Sequence, residues 1–168
     1  MILREEGAGG LRADRLARRL GLTKGSFHHH FDGMPGYRRA LLELCRQREA
    51  GVIAAVRAGI VSLAPAEAIA ALPDRLDGLF DMRLDAALRG WAIGDDEART
   101  ALAAIDAARL EMLEGLWARV LPDPSAARAA ALVPYLVTVG ASMSAGVSED
   151  DLRAVYRLLS HAVPGVAG

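Results

Sequence analysis

Residues 11–31 read LRADRLARRLGLTKGSFHHHF, and this stretch decides the fold. Leu11, Leu16, Ala17 and Leu20 fall at helical spacing, which predicts a short helix with one apolar side. Gly21 follows where a helix end favours the left-handed conformation. Leu22 is expected to turn back into the core, and Thr23 to supply an N-cap oxygen. A second helix then buries Phe27 and Phe31, an i,i+4 pair, and presents Lys24, Ser26, His28 and His29 on its other side. Small Ala17, four residues before Gly21, lets the two helices cross closely, as a helix-turn-helix requires. In that motif the N-terminal residues of the second helix reach base edges in the major groove. An ordinary helical hairpin has the same spacing, so periodicity alone does not separate the two.

The literal residues do separate them. Leu16-Ala17-Arg18-Arg19-Leu20 and then Gly21-Leu22-Thr23-Lys24-Gly25-Ser26-Phe27, followed by His30-Phe31, resemble the DNA-binding signature of the TetR (tetracycline-repressor) family of bacterial transcriptional regulators. The resemblance implies an all-α protein with a helix-turn-helix DNA-binding head on a multi-helix ligand-binding and dimerisation body. It also implies double-stranded DNA, as a palindromic operator, for a partner. Base readout would fall to Thr23, Lys24, Ser26, His28 and His29, with Gly25 admitting the DNA backbone close to the helix start. One or two of Arg12, Arg15, Arg18 and Arg19 would touch phosphates, and solvent would take the rest. Three departures stand out. Only MILREE precedes Gly7 where the family carries a full first helix, so that helix is expected to be clipped. His28 stands in the place of a phosphate-contacting tyrosine; a neutral histidine still donates one hydrogen bond, and a protonated one adds charge. Met34 lies where a phosphate-binding lysine is frequent, and Arg38 or Arg39, one turn later, would compensate.

Charge supports the same division of labour. Across 168 residues the net charge is −1, yet residues 1–48 hold ten Lys/Arg against five Asp/Glu. The remaining residues, 49–168, hold ten against sixteen. A basic head on an acidic body suits DNA binding through one end. The domain boundary is therefore expected at 48–49. Hydrophobic residues make up 52% of the chain and mean hydropathy is +0.20, which excludes a disordered chain. The single cysteine, Cys45, excludes an internal disulfide and a cysteine-rich metal site, and points to a reducing, cytoplasmic setting. No signal peptide is expected at the start. The most apolar stretch, Ala129 to Val139, is short for a bilayer span and contains Pro134, so no membrane association is expected.

Beyond the head, Leu41, Leu44, Cys45, Val52, Val56 and Ile60 predict one long helix over 37–61. Pro65 closes it, and Pro73 is expected to break the Ala-rich segment that follows. Leu76, Leu79, Phe80, Leu84, Ala87, Leu88 and Trp91 form an apolar stripe ending at Gly94. Asp95 or Asp96 caps the next helix, whose stripe runs Leu102, Ile105, Met112, Leu113, Leu116, Trp117 and Val120. Asp106 and Arg109 are i,i+3 partners, expected as an ion pair. Asp123-Pro124 opens a further helix, and Ser148 with Asp151 forms a capping-box pattern before the last one. These two terminal helices are apolar and poor in charge. They are expected to form half of a four-helix dimer interface through Leu132, Leu136, Gly140 and Ser144, and Leu152, Val155, Tyr156 and Leu159.

No catalytic constellation appears, and no cofactor is implied. The run His28-His29-His30 does not suit a metal, because consecutive helical positions point about 100° apart. An enzyme is not expected. Phe80, Met82, Trp91, Met112, Trp117, Tyr135 and Met143 are each ordinary core residue types; given the resemblance, they are candidates to line an apolar effector pocket. The expected function is a homodimeric, ligand-responsive transcriptional regulator, a repressor released from its operator by a small, mostly apolar molecule. The alternative is a dimeric helical small-molecule-binding or interaction protein with impaired DNA binding.

Overall fold

Local chemistry sets most of the helix ends. The computed structural model describes residues 2–76 and 80–161, which form α1 (Ile2–Glu6), a 3-10 turn (Ala8–Gly10), α2 (Ala13–Leu20), α3 (Lys24–Phe31), α4 (Gly33–Ile60), α5 (Pro65–Leu76), α6 (Met82–Ile93), α7 (Asp96–Trp117), α8 (Pro124–Met143) and α9 (Glu149–His161). No strand occurs among the described residues, as an all-α chain requires. Asp95 Oδ1 accepts the Ala98 N–H at 3.0 Å and so starts α7. Asp123 takes the N–H groups of Ser125 and Ala126 ahead of α8, with Pro124 as its first residue. Ser148 and Asp151 satisfy each other's backbone N–H, a reciprocal capping box built with Asp in place of Glu. Glu67 reaches back to the Ala64 N–H at 3.2 Å to start α5 at Pro65.

Two expectations about breaks are corrected. Pro73 does not break the Ala-rich segment but lies inside α5. An interior proline costs about 3 kcal/mol. That cost is met by a face of Ala68, Ile69 and Leu72, all buried in one apolar cluster. The stripe thought to begin at Leu76 is not one helix: α5 ends at Leu76, Leu79 lies outside the described residues, and Phe80 precedes the start of α6.

The chain forms two compact units. The first comprises Met1–Glu49 with Arg83–Ile105. Its core joins Leu3 of α1, Leu16 and Ala17 of α2, Phe27 of α3, and Leu41, Leu42 and Cys45 of α4 to Leu84, Leu88 and Trp91 of α6 and Ala98 of α7. The chain leaves this unit between 49 and 50, and residues 83–105 return to it. Asp85 is buried in this unit and accepts the Arg89 Nε–H at 2.8 Å, an i,i+4 pair along α6. Two leucines expected inside, Leu20 and Leu44, are 51% and 54% exposed; Leu42 fills the core beside Leu41 instead.

The second unit comprises Ala50–Met82 and Asp106–Gly168. Ile53, Val56 and Ile60 of α4 pack with Ile69 and Leu72 of α5, Leu113 and Leu116 of α7, and Ala127 and Ala131 of α8. A smaller cluster gathers Met82, Ala141, Leu152 and Tyr156. The Tyr156 hydroxyl donates to the Pro134 carbonyl at 3.1 Å and meets the Thr138 hydroxyl, tying α9 to α8. Asp106 and Arg109 pair at 3.7 Å, and the Arg109 guanidinium lies 5.1 Å from the centre of the Phe80 ring. Helix α8, with 20 residues, is long and apolar enough to cross a membrane by length and composition, so the shorter reading of 129–139 is corrected.

Helix α1 has five residues, too few to hold its own shape. Tertiary contacts hold it. Ile2 and Leu3 are buried, while Glu5 receives two hydrogen bonds from Arg19 at 2.7 and 2.9 Å and Glu6 receives two from Arg15. The Arg19 guanidinium lowers Glu5 from its ordinary value of 4.5 to about 2. A carboxyl depressed in the folded state stabilises the fold above its unfolded value and loses that contribution as pH falls through the folded one. Unfolding of wild type and Glu5→Gln by urea should therefore differ at neutral pH, with wild type the more stable. The difference should shrink below pH 4.5 and vanish only below about pH 2.

The junction of α3 and α4 is tighter still. A Cβ on Gly36 would stand 1.6 Å from the Phe31 carbonyl oxygen, so only glycine lets the first turn of α4 lie against the end of α3. Gly36→Ala must displace backbone, and denaturant unfolding should register a loss of about 1–3 kcal/mol or more. Gly51→Ala, with no atom near its Cβ position, should be neutral or stabilising.

Candidate nucleic-acid interface

The turn between α2 and α3 is built as its sequence demands. Gly21 adopts φ 67° and ψ 25°, the Leu22 N–H donates to the Ala17 carbonyl at 2.8 Å, and the Gly21 N–H donates to Arg18. This closure satisfies the last carbonyls of α2 and reverses the chain. Thr23 then caps α3, its Oγ1 accepting the Ser26 N–H at 3.1 Å. Leu22 is half-buried, consistent with an inward turn.

Helix α3 has one anchored side. Phe27 is fully buried, with ring centres 5.1 Å from Phe31 and 5.5 Å from Tyr37, and Phe31 meets Tyr37 edge-on at 5.0 Å. Burial raises the Tyr37 hydroxyl above its usual value. With that side fixed, the helical period turns Gly25 and His29 outward, and Lys24 and His28, nearer the aromatic side, are exposed as well. Thr23 is exposed as well, and Ser26 is half-buried. Thr23 spends an oxygen lone pair on the cap, leaving its hydroxyl hydrogen for an outside acceptor. His30 is also exposed. No group of three metal-ligating side chains occurs among the described residues.

The surrounding arginines divide into two classes. Arg12, at the N-cap of α2, and Arg18 are exposed. Arg15 and Arg19 are held by Glu6 and Glu5. Arg38 is half-buried and turns toward Asp95 at 4.0 Å, a partner that sequence reasoning missed because it lies 57 positions further along the chain. Asp95 was recognisable as a cap but not as the counter-charge of an arginine in the head.

The residues expected around an effector do not gather in one cluster. Met112 and Trp117 are buried in the larger cluster of the second unit, with Tyr135 packed against it. Met82 belongs to the smaller cluster, with Phe80 at its edge. Trp91 sits in the core of the first unit, where its Nε1–H donates to Asp95 at 3.0 Å. Met143 is 56% exposed.

The expected interface positions divide likewise. Leu152 and Tyr156 are buried within the chain, and Leu132 and Leu159 are half-buried. Leu136, Gly140, Ser144 and Val155 are exposed. The exposed face of α8 runs Val133, Leu136, Gly140 and Met143, spaced 3-4-3, and Leu158 of α9 is 72% exposed.

No protein-family sequence profile matches the chain, and no curated protein matches it by sequence. Among solved structures, the chain is similar to one from Rhodococcus sp. named as a TetR-family transcriptional regulator. The two superpose with a TM-score of 0.63 at 19% sequence identity, over 92% of this chain and 88% of the other. Together with the all-helical element order, the glycine-turned helix pair and the buried aromatic anchor, this likeness shows that the chain has a TetR-like fold.

Proposed function

We propose that the chain is a homodimeric DNA-binding transcriptional regulator, a repressor whose operator is a palindromic duplex. The observation that carries this reading is helix α3. Its aromatic side is sunk in the core, while Lys24, Gly25, His28 and His29 stand in solvent at and beyond its capped N-terminus. That is the end which a second helix of this motif inserts into the major groove. Lys24 and the exposed Arg12 supply phosphate or base contacts, and the histidines supply short-range donors. No enzymatic chemistry is assigned to it.

Recognition by two heads needs a second copy. The exposed stripe Val133–Leu136–Gly140–Met143 supports a dimer through α8 and α9. Large apolar side chains there are exposed, without cover from the other described residues, and Gly140 among them allows close helix approach. Release from DNA would follow binding of a small, mostly apolar effector in the second unit. Such a ligand must favour the released state, by about 1–3 kcal/mol in typical couplings.

Binding to the DNA upstream of the chain's own gene, followed across a salt titration, tests the first claim. A repressor should lose affinity steeply, with slope about −0.9 per phosphate contact, and Lys24→Ala should flatten that slope by about one per protomer. Flat, sequence-indifferent binding would identify a dimeric helical interaction protein instead. For the second claim, Leu136→Glu places a charge in the stripe. Sedimentation should find wild type as a dimer and this variant as a folded monomer; a variant that stays dimeric places the interface elsewhere.

A further inference from the structure

Arg38 is an arginine with an incomplete set of partners. Its Nη1 stands 4.0 Å from Asp95 Oδ2, beyond hydrogen-bond range, and its Nε is buried with no hydrogen-bond partner among the described residues. Asp95 is in the opposite condition. One carboxylate oxygen accepts the Ala98 N–H and the other accepts the Trp91 indole N–H, each at 3.0 Å. Trp91 is itself buried in the same core as Phe27. The Ala98 N–H, then the Trp91 N–H, hold the Asp95 carboxyl below the usual carboxylate range, so it stays an anion. The carboxylate is locked in place, while the guanidinium is loosely held and under-satisfied.

A guanidinium in that state gains by exchanging a distant carboxylate for two well-aligned phosphate oxygens. We propose that Asp95 is an internal competitor for DNA phosphate. In the free protein it draws Arg38 toward the turn between α6 and α7. On DNA, Arg38 leaves Asp95 and takes a phosphate. This proposal rests on the reading of the head as a DNA-binding unit. It makes Asp95 a positioning residue that sets affinity without touching DNA, and it gives the α6–α7 turn an autoinhibitory contact with the head.

Fluorescence anisotropy on two labelled duplexes, the upstream DNA and a scrambled duplex of equal length, tests this between about 0.05 and 0.2 M salt. Asp95→Asn removes the charge and keeps an oxygen for the Ala98 cap. Trp91→Phe/Asp95→Asn removes the indole N–H together with its acceptor, should the loss of the Trp91 acceptor in the first variant unsettle the fold. Both should bind both duplexes about three- to tenfold more tightly with the salt slope of wild type, since Arg38 takes its phosphate in either case, whereas Arg38→Gln should flatten the slope by about one per protomer. Arg38→Gln should bind more weakly than wild type, and the double variant Arg38→Gln/Asp95→Asn should match Arg38→Gln alone. The proposal is overturned if wild type binds DNA and both Asp95 variants bind no better. It is equally overturned if Asp95→Asn gains as much affinity without Arg38 as with it, since the effect is then general charge and not competition. Absence of salt-dependent binding by wild type and variants alike overturns the DNA-binding reading and this proposal together.

Discussion

The contact of Phe27 with Phe31 and Tyr37 is the interaction on which the head depends. Helix α3 has eight residues, too few to persist in water without tertiary support. Its orientation is therefore decided by what its buried side touches. A fully buried phenylalanine is worth about 3–5 kcal/mol against alanine, and each aromatic pair adds about 0.5–1.5 kcal/mol from geometry. Gly36 makes the contact reachable, because only a residue without Cβ brings Tyr37 of α4 close enough to the end of α3. Once the aromatic side is fixed, the outward direction of Gly25 and His29 follows from the 3.6-residue period alone.

Charge acts here through position, not count. The first 48 residues carry a net +5, but the excess is not all presented to a partner. Arg15 and Arg19 hold Glu6 and Glu5, and so anchor α1 to α2. Arg38 faces Asp95. Exposed ion pairs of this kind add little stability each, yet each one changes which cations a polyanion meets first. In the proposed DNA-binding head, binding strength would be set by the arginines left outside these pairs, such as Arg12 at the N-cap of α2 and Arg18 within it.

What was legible in the sequence is what a few neighbouring residues decide. Gly21, Thr23, Asp123-Pro124 and Ser148 with Asp151 mark helix ends through hydrogen bonds spanning five residues or fewer, and each end lies where that chemistry puts it. The i,i+4 pair Phe27 and Phe31 is legible for the same reason. Illegible features depend on distant partners. Leu20 and Leu44 continue an apolar period but find no neighbour to cover them. Pro73 signals a break by local rule, and packing of Ile69 and Leu72 overrides it. Trp91 carries no mark that it belongs with the head rather than with Trp117. Its partner Asp95 is local, but the core it enters is assembled from α1 to α4.

Helix α8 shows how one periodicity can serve two faces. Ala127, Ala131 and Ala141 turn inward, where small side chains let neighbouring helices approach. Val133, Leu136 and Met143 turn outward, whereas the interface expected from the apolar sequence and the family resemblance runs through Leu132, Leu136, Gly140 and Ser144. The two registers share Leu136 and Gly140, because a helix nearly apolar all round has no polar face to fix its rotation. Met143, a pocket candidate by its side-chain chemistry, is 56% exposed and continues the outward stripe. An unbranched thioether suits that position in the proposed dimer, since it can fill an irregular gap against a second copy at little conformational cost. Composition identified the helix as an interface candidate; only burial of its alanines says which side is left for a partner.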